Sequence, residues 1–164
     1  MERLWAPWRG AYVAGTGRTP GCFLCEKPAE TDDAANLLLY RGAAAFIVMN
    51  LYPYNTAHLL IAPYEHTADF AGLAATVATE IMALVQRCVA LIAAEYRPEG
   101  FNVGMNLGAA AGAGEADHLH AHVVPRWGGD TNFMSALAAT KVMPETLAQT
   151  YARLQPRFAA EIGG

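Results

Sequence analysis

Three histidines alternate in the stretch "HLHAHVVPRW" at residues 118–127, and they are three of only five in the chain. In an extended strand, side chains at every second position point to the same face. His118, His120 and His122 would therefore share one face, and the apolar residues between them would seal the other. A single strand histidine is usually structural, but three in strict alternation predict a metal site or a catalytic device.

A single metal ion cannot easily bind all three of these histidines. The first and last side chains of such a strand lie roughly 13 Å apart, whereas zinc holds a histidine nitrogen at about 2.0–2.1 Å. One or two of them could bind a metal, and the others must do different work. Phosphoryl chemistry fits, because a neutral imidazole is a good nucleophile and its neighbours can donate hydrogen bonds to phosphate oxygens.

A loop of small residues, "NLGAAAGAGEAD" at 106–117, leads directly into the histidines. Glycine and alanine let backbone N–H groups approach an anion closely. Such a loop is weak support for a phosphate site by itself. Its position directly before three histidines on one face makes a phosphate site the favoured interpretation.

Two cysteines, Cys22 and Cys25, have the spacing of half a tetrahedral zinc site. The alternatives are a redox pair or two ordinary buried thiols. A redox pair usually follows a strand and opens a helix, and "TPGCFLCEKP", with Pro28 close behind, is a poor match to that pattern. We expect Cys88, which falls on the apolar stripe of a predicted helix, to lie in the core.

The hydrophobic pattern of the chain predicts an α+β fold with helices mostly on one face of a mainly antiparallel five-stranded sheet. One long helix and one or two shorter ones should accompany the strands. The predicted strands span residues 36–42, 43–50, 58–64, 100–108 and 118–125, and the predicted helices span 76–97 and 145–161. We expect one domain over residues 1–164, with an irregular N-terminal arm (1–21) and a C-terminal extension that carries a helix (128–164).

Composition narrows the class of protein. The chain has 164 residues, 54% of them hydrophobic and 16% charged, which is typical of a globular domain. The formal net charge of −4 gives no global attraction for nucleic acid. The N-terminus shows no apolar leader, and the alanine-rich stretch 83–94 is short and interrupted by Arg87. We therefore expect a cytoplasmic protein without a membrane or nucleic-acid partner.

The segment "HLHAHVV" resembles the motif of the histidine triad (HIT) nucleotide-binding family, and "NLYPYNTAHLLIAPYEH" extends the resemblance. The block "GFNVGMNLGAAAGAGEADHLHAHVVPRWGGDTNFM" is similar to one branch, the bacterial diadenosine tetraphosphate phosphorylases (ATP adenylyltransferases). The resemblance covers roughly residues 20–127. It implies a HIT-like fold, at least a homodimer whose sheet continues across subunits, and cleavage of diadenosine tetraphosphate by inorganic phosphate to ADP and ATP.

The resemblance also implies roles for individual residues. His120 would form the covalent nucleotidyl intermediate, His122 would hydrogen-bond the α-phosphate, and His58 would join the same cluster. Asn106 would bind phosphate or the bridging oxygen, and Asn50 stands where relatives commonly keep an acidic ribose ligand. The other implied nucleotide-binding positions are Phe23, Leu24, Val48, Leu60 and Gly114.

Zinc-containing relatives complete the cysteine pair with two histidines, which correspond here to His66 and His118. The resemblance therefore implies a structural zinc ion that ties the N-terminal arm to the active-site strand. No catalytic cofactor is required, because a phosphoanhydride has a leaving group that is a weak base.

This sequence differs from those of hydrolytic members of the family just before the first histidine of the motif. Those enzymes commonly carry a Gln-Ser or Gln-Thr pair there, whereas this chain has Glu115-Ala116-Asp117. The two carboxylates would repel a polyanion unless they point away or pair with Arg126. Further residues could close over the distal nucleotide, supply a cation for the attacking phosphate, or form a subunit contact: Trp127, Asn132, Phe133, Lys141 and the arm "LWAPWR" with Arg9.

Three other functions stay open at this point. The first is a HIT hydrolase that releases AMP from dinucleoside polyphosphates or nucleoside phosphoramidates. The second is a purine-nucleotide binding protein with little turnover. The third is a cupin-like metal enzyme, which ranks low because it expects a later histidine ligand and none follows His122.

Overall fold

One five-stranded sheet organises the protein in the computed structural model, which describes residues 21–132 and 141–162. The strands are β1 (Leu38–Arg41), β2 (Ala45–Met49), β3 (Leu59–Pro63), β4 (Gly100–Met105) and β5 (Ala121–Arg126). Their order is β1-β2-β3-β5-β4, and every neighbouring pair is antiparallel. The predicted α+β fold is confirmed. The N-terminal arm up to residue 20 and Phe133 lie outside the described residues.

In the described part of the chain, four α-helices accompany the sheet: α1 (Phe23–Ala29), α2 (Asp33–Asn36), α3 (Ala75–Tyr96) and α4 (Leu147–Ile162). The long helix and the final helix were predicted, within two residues at each end. The short helices α1 and α2 were not, because neither has enough residues to show an apolar period. Asp32 begins α2 by accepting a hydrogen bond from the Ala35 N–H at 3.0 Å.

Helices α3 and α4 cover one face of the sheet. Helix α3 brings an apolar stripe to the residues of β2 and β3 that point the same way, and α4 packs against β1 and α3, which is the pattern of amphipathic core helices. The stripe of α3 consists of Ile81, Leu84, Val85, Cys88, Leu91 and Ile92. Cys88 is fully buried, as predicted.

Helix α3 is also long and apolar enough to cross a membrane by length and composition alone, with a mean hydropathy of 1.7 over its most apolar window. The sequence argument considered only residues 83–94, and it therefore underestimated the length of the apolar segment, which extends over the whole helix. A core helix passes the same test, and the buried stripe of α3 lies against the sheet. This property is thus a weak indication of a membrane span.

The other face of the sheet carries a smaller apolar cluster, which brings α1 to the sheet. Its buried members are Leu24, Leu38, Phe46, Val48, Leu60 and Ala62. Leu60 lies opposite His122 in the register between β3 and β5, so His122 is on this face. The cluster therefore holds Cys22 and Phe23 of α1 on the same face as the histidines.

Strand β5 begins at Ala121, three residues later than predicted. Ahead of it, the Leu119 N–H donates to the carbonyl of Thr67 at 2.8 Å, so the backbone follows the segment after β3. Ala121 and Val123 still face the core, as predicted. The first two histidines thus lie in an extended lead-in to the strand and are not members of it.

The turn after β5 is fixed by Asp130. Its carboxylate accepts hydrogen bonds from Arg126 Nε at 2.6 Å and from Asn55 Nδ2 at 2.7 Å. Arg126 also donates to Asn102 Oδ1 at 2.7 Å. The guanidinium thus binds Asp130 and Asn102, whereas the sequence had suggested it as a partner for Glu115 or Asp117.

Asp130→Asn should lower the free energy of unfolding by roughly 1–3 kcal/mol near neutral pH. The Arg126 guanidinium, and then Asn55, hold the pKa of the Asp130 carboxyl well below its usual range. A depressed pKa in the folded state stabilises the fold above the unfolded value of about 3.9, and that contribution is lost as pH falls below it. Urea unfolding at neutral pH and near pH 3 measures the difference.

The matched control for this prediction is Asp117→Asn, because Asp117 is exposed. We expect that variant to stay within about 0.5 kcal/mol of the wild type. Equal stability of Asp130→Asn and wild type at neutral pH would contradict the role given to Asp130.

Candidate functional site

A cavity of about 300 Å³ lies on the histidine face of the sheet, a size suited to a small ligand. Seven residues singled out from the sequence line it: Phe23, Asn50, Leu60, Asn106, Gly114, His120 and His122. Lys141, which the sequence suggested as a cation for phosphate, lines it as well. The remaining lining residues were not predicted individually, although all but Met143 lie in segments singled out from the sequence; they are Leu51, Tyr52, Pro53, Tyr54, Gly112 and Met143.

The backbone fixes the tautomer of His120. Its Nδ1 lies 2.8 Å from the carbonyl oxygen of His118, and a carbonyl can only accept a hydrogen bond. Nδ1 therefore carries the proton, and Nε2 of the neutral ring keeps its lone pair. His120 is only 6% exposed yet lines the cavity, so this lone pair is shielded from bulk water.

A chain of hydrogen bonds fixes His58 and His122 in the same way. The N–H of Tyr54 donates to His58 Nδ1 at 3.1 Å, so the proton of His58 is on Nε2. That N–H donates to His122 Nδ1 at 3.0 Å, which leaves the proton of His122 on its own Nε2. The ring centroids of His120 and His122 are 4.9 Å apart. One histidine thus offers a lone pair and its neighbour offers an N–H donor.

Three residues that the resemblance implied for the site lie behind its surface. His58 is 1% exposed and does not line the cavity, but it contacts three residues that do, which are His122, Asn50 and Tyr54. Leu24 and Val48 are fully buried in the apolar cluster beneath Phe23 and Leu60. They support the cavity wall, whereas Phe23 and Leu60 form its surface.

The loop that precedes the histidines uses glycine for its conformation. Gly108 and Gly112 have φ values of +79° and +85°, which disfavour any residue with a Cβ atom. No atom lies within 4 Å of a Cβ built at either position, so conformation and not space selects glycine there. Asn106, Gly112 and Gly114 bring this loop to the cavity.

One cluster of side chains could hold a metal ion, because its four ligand atoms all lie within 4.8 Å of one another. It consists of Cys22, Cys25, His66 and His118. Cys22 Sγ lies 3.3 Å from His118 Nδ1, and Cys25 Sγ lies 3.3 Å from His66 Nδ1. Zinc bonds of about 2.3 Å to sulfur and about 2.05 Å to nitrogen, in a tetrahedral site, would separate sulfur and nitrogen by about 3.5 Å. The observed separations are close to that value.

The protonation of this cluster also suits a metal. His118 Nε2 donates to the carbonyl of Pro63 at 2.8 Å, so the lone pair on Nδ1 faces the sulfurs. Burial lowers the pKa of His118, which favours the neutral ring. Burial also raises the pKa of the Cys22 thiol to about 11, so a thiolate there needs a nearby cation.

The cysteine pair does open a helix, which corrects one premise of the sequence argument. Cys22 is the N-cap of α1, and Pro28 lies inside that helix. The argument against a redox pair from the missing helix was therefore wrong. The preference for a metal is supported by the histidine nitrogens that face both sulfurs.

Comparison with known proteins gives a consistent picture. A family model described as HIT domain matches residues 32–129. An AP-4-A phosphorylase of Mycobacterium tuberculosis is 38% identical over 98% of this chain and 86% of its own length. A Zn-bound histidine triad family protein from Mycobacterium smegmatis has a TM-score of 0.67 at 20% identity, covering 86% of this chain and 94% of its own. Plasmodium falciparum diadenosine triphosphate hydrolase has a TM-score of 0.64 at 15% identity, with 80% and 81% covered.

Proposed function

The chain belongs to the HIT domain family, and we propose that it is an enzyme that cleaves diadenosine tetraphosphate with inorganic phosphate to give ADP and ATP. The observation that carries this proposal is the pairing of His120 and His122 in one cavity, where the first presents a lone pair and the second an N–H donor. The similarity to an AP-4-A phosphorylase over nearly the whole chain supports the choice of reaction.

In the first step, Nε2 of His120 attacks the α-phosphorus and the bond to the bridging oxygen breaks. ATP leaves with the electron pair of that bond, and AMP remains bound to the histidine. The ring becomes cationic, and the carbonyl of His118 stabilises it by accepting the Nδ1–H. The Nε2–H of His122 donates to the phosphate oxygens as charge develops on them.

In the second step, an oxygen of inorganic phosphate attacks the same phosphorus. The phosphorus–nitrogen bond breaks, its electron pair returns to Nε2, and ADP is released. No proton has to move at His120 in either step, because Nδ1 keeps its proton and donates a hydrogen bond to the His118 carbonyl throughout. The two histidine tautomers are therefore the same before and after each turnover.

The rest of the cavity suits the nucleoside. Phe23 and Leu60 offer an apolar wall for a base, and the apolar cluster beneath them keeps that wall rigid. Asn50 Oδ1 accepts from the Tyr52 N–H at 2.9 Å, which orients the amide beside the loop of the cavity. An amide in this position can hydrogen-bond a ribose hydroxyl, and Asn106 can bind phosphate from the opposite loop.

We further propose that Cys22, Cys25, His66 and His118 bind a structural zinc ion. Two thiolates and two imidazoles form a usual donor set for this metal. When bound, zinc supplies a cross-link between α1 and the lead-in to β5, and no chemistry at phosphorus. The link matters because the residue that offers Nδ1 to the cluster, His118, also fixes the tautomer of His120 through its carbonyl.

The assembly proposed is a homodimer or higher homo-oligomer whose sheet continues across subunits. β4 is at the edge of the sheet, and no described strand pairs with its outer side. Val103 on this strand is 48% exposed, which leaves apolar surface at an edge able to pair with another strand. A single domain over residues 1–164 and a cytoplasmic location belong to the same proposal.

Removing the donor of His122 should reduce turnover and spare binding. His122→Ala is expected to lower kcat by about 10²- to 10³-fold, because it deletes one hydrogen bond to the developing phosphate charge. His122→Gln, which can still donate from an amide, should retain more activity than alanine. Steady-state kinetics of both variants measure this. Equal kcat for wild type and His122→Ala would contradict the donor role.

Product analysis tests the proposed reaction. The purified protein is incubated with diadenosine tetraphosphate, with and without inorganic phosphate, and the nucleotides are separated. ADP and ATP that form only with phosphate support the proposal. AMP and ATP without phosphate would make the protein a hydrolase, and no product from either mixture would favour nucleotide binding without turnover.

A further inference from the structure

Lys141 brings a positive charge to the cavity that holds the histidines. Among the residues that the structure describes, it is the one cationic side chain on the cavity wall. The side chain is half-buried, and its ammonium donates to the backbone carbonyl of Asp130. This hydrogen bond links the ammonium to the turn that follows β5.

The neighbouring carboxylate does not bind this lysine. Asp130 directs its two carboxylate oxygens to Arg126 and Asn55, so the ammonium meets only the neutral carbonyl of that residue. An ammonium has three N–H donors, and the carbonyl takes one of them. The charge of Lys141 is therefore not neutralised by Asp130.

Lys141 and the apolar wall are contributed to the cavity by different parts of the fold. Phe23 packs with the apolar cluster over β2 and β3. The ammonium of Lys141 is instead held by the carbonyl of Asp130, four residues beyond the end of β5. His120 and His122 line the cavity with both of them. A nucleotide with its base on Phe23 and its α-phosphate at the histidines would have its remaining phosphates in the same cavity as the Lys141 ammonium.

We propose that Lys141 binds the phosphate next to the reacting one. This phosphate becomes the γ-phosphate of the departing ATP in the first step and is inorganic phosphate in the second. The two occupy the same place because the bond that breaks and the bond that forms both lie opposite Nε2 of His120. The inference rests on the proposed function and adds the residue that selects the acceptor.

The charge of Lys141 explains a preference for phosphate over water. A phosphate dianion approaching an anionic phosphoryl group is repelled, and a nearby ammonium offsets that repulsion. Water is neutral, so it is not repelled in this way and the ammonium does not favour its approach to the same extent. Lys141 thus acts as a specificity residue that favours phosphorolysis over hydrolysis of the nucleotidyl intermediate.

Binding of AMP and ADP separates this role from a structural one. The dissociation constants are measured by calorimetry in the His120→Ala protein, so that no covalent intermediate forms, with and without Lys141→Met. We expect ADP to bind at least about tenfold more weakly without the lysine and AMP to bind unchanged. Lys141→Arg should keep most of the ADP affinity, since it keeps the charge.

A lysine elsewhere in the chain provides the matched control. Lys27 also donates to a backbone carbonyl, that of Asn36 at 2.6 Å, and does not line the cavity. Lys27→Met should leave both affinities unchanged. Equal weakening of AMP and ADP by Lys141→Met, or no weakening of either, would overturn the proposal.

The KM for inorganic phosphate gives a second readout in the otherwise wild-type enzyme. Lys141→Met should raise it at least about tenfold and increase the share of AMP among the products. An unchanged KM would overturn the role of Lys141 while leaving the proposed function intact. A wild-type protein that makes no ADP would overturn the proposed function, and the ratio of ADP to AMP binding would then decide the role of Lys141 by itself.

Discussion

His120→Ala should lower the turnover of diadenosine tetraphosphate by about four orders of magnitude or more. The reason is that the substitution removes the lone pair that Nε2 presents to the cavity. Nucleotide affinity should change only a few-fold, because the base wall and Asn50 are untouched. Single-turnover kinetics and calorimetry on the same preparation measure the two effects separately.

A chemical rescue provides the control for this variant. His120→Gly leaves space at the position of the ring, and added imidazole can supply the missing nucleophile. Partial recovery of turnover with imidazole would show that the protein is folded and lacks only the reacting group. A His120→Ala enzyme that keeps turnover within tenfold of the wild type would rule out the covalent mechanism.

Cys22→Ser combined with Cys25→Ser should remove one zinc ion per chain and lower the stability of the fold. A ligand present at a thousand times its Kd stabilises the folded state by about 4 kcal/mol, and the variant loses that contribution. We also expect a loss of activity of about tenfold or more, because His118 connects the metal cluster to His120 through its carbonyl. Elemental analysis, thermal unfolding and kinetics measure the three effects.

Cys88→Ala is the matched cysteine control. Cys88 is fully buried on α3 and away from the metal cluster, so its replacement should cost about 1 kcal/mol through packing alone. The zinc content should stay at one ion per chain. A wild-type protein that takes up no zinc, or a double variant with unchanged stability, would contradict the metal assignment.

The sequence predicted the framework of the fold because its long elements have a clear period. The apolar positions of α3 recur every three or four residues, and this period predicted both the helix over residues 76–97 and the burial of Cys88. The alternation of β5 placed Ala121 and Val123 in the core, where they lie. The start of β5 was predicted three residues early, because an extended lead-in has the same alternation as a strand.

The candidate site was less predictable, since loops bring most of it together. The resemblance implied Phe23 and Asn50, and both line the cavity. Tyr54 was not predicted individually, because it lies in a loop without a period. Its backbone N–H fixes the tautomer of His58, and its ring centroid lies 4.8 Å from that of His58. Helix α1 was missed for a related reason: seven residues with a proline inside show no helical pattern in isolation.

One measurement tests the central claim, the transfer of AMP through His120 to phosphate. The protein is incubated with diadenosine tetraphosphate in the absence of phosphate, freed of nucleotide, and examined by mass spectrometry before and after inorganic phosphate is added. We predict a single adenylyl group on the peptide that contains His120, and its complete release as ADP upon addition of phosphate. An unmodified protein that nevertheless produces ADP, or an adenylyl group that leaves only as AMP, would contradict the claim.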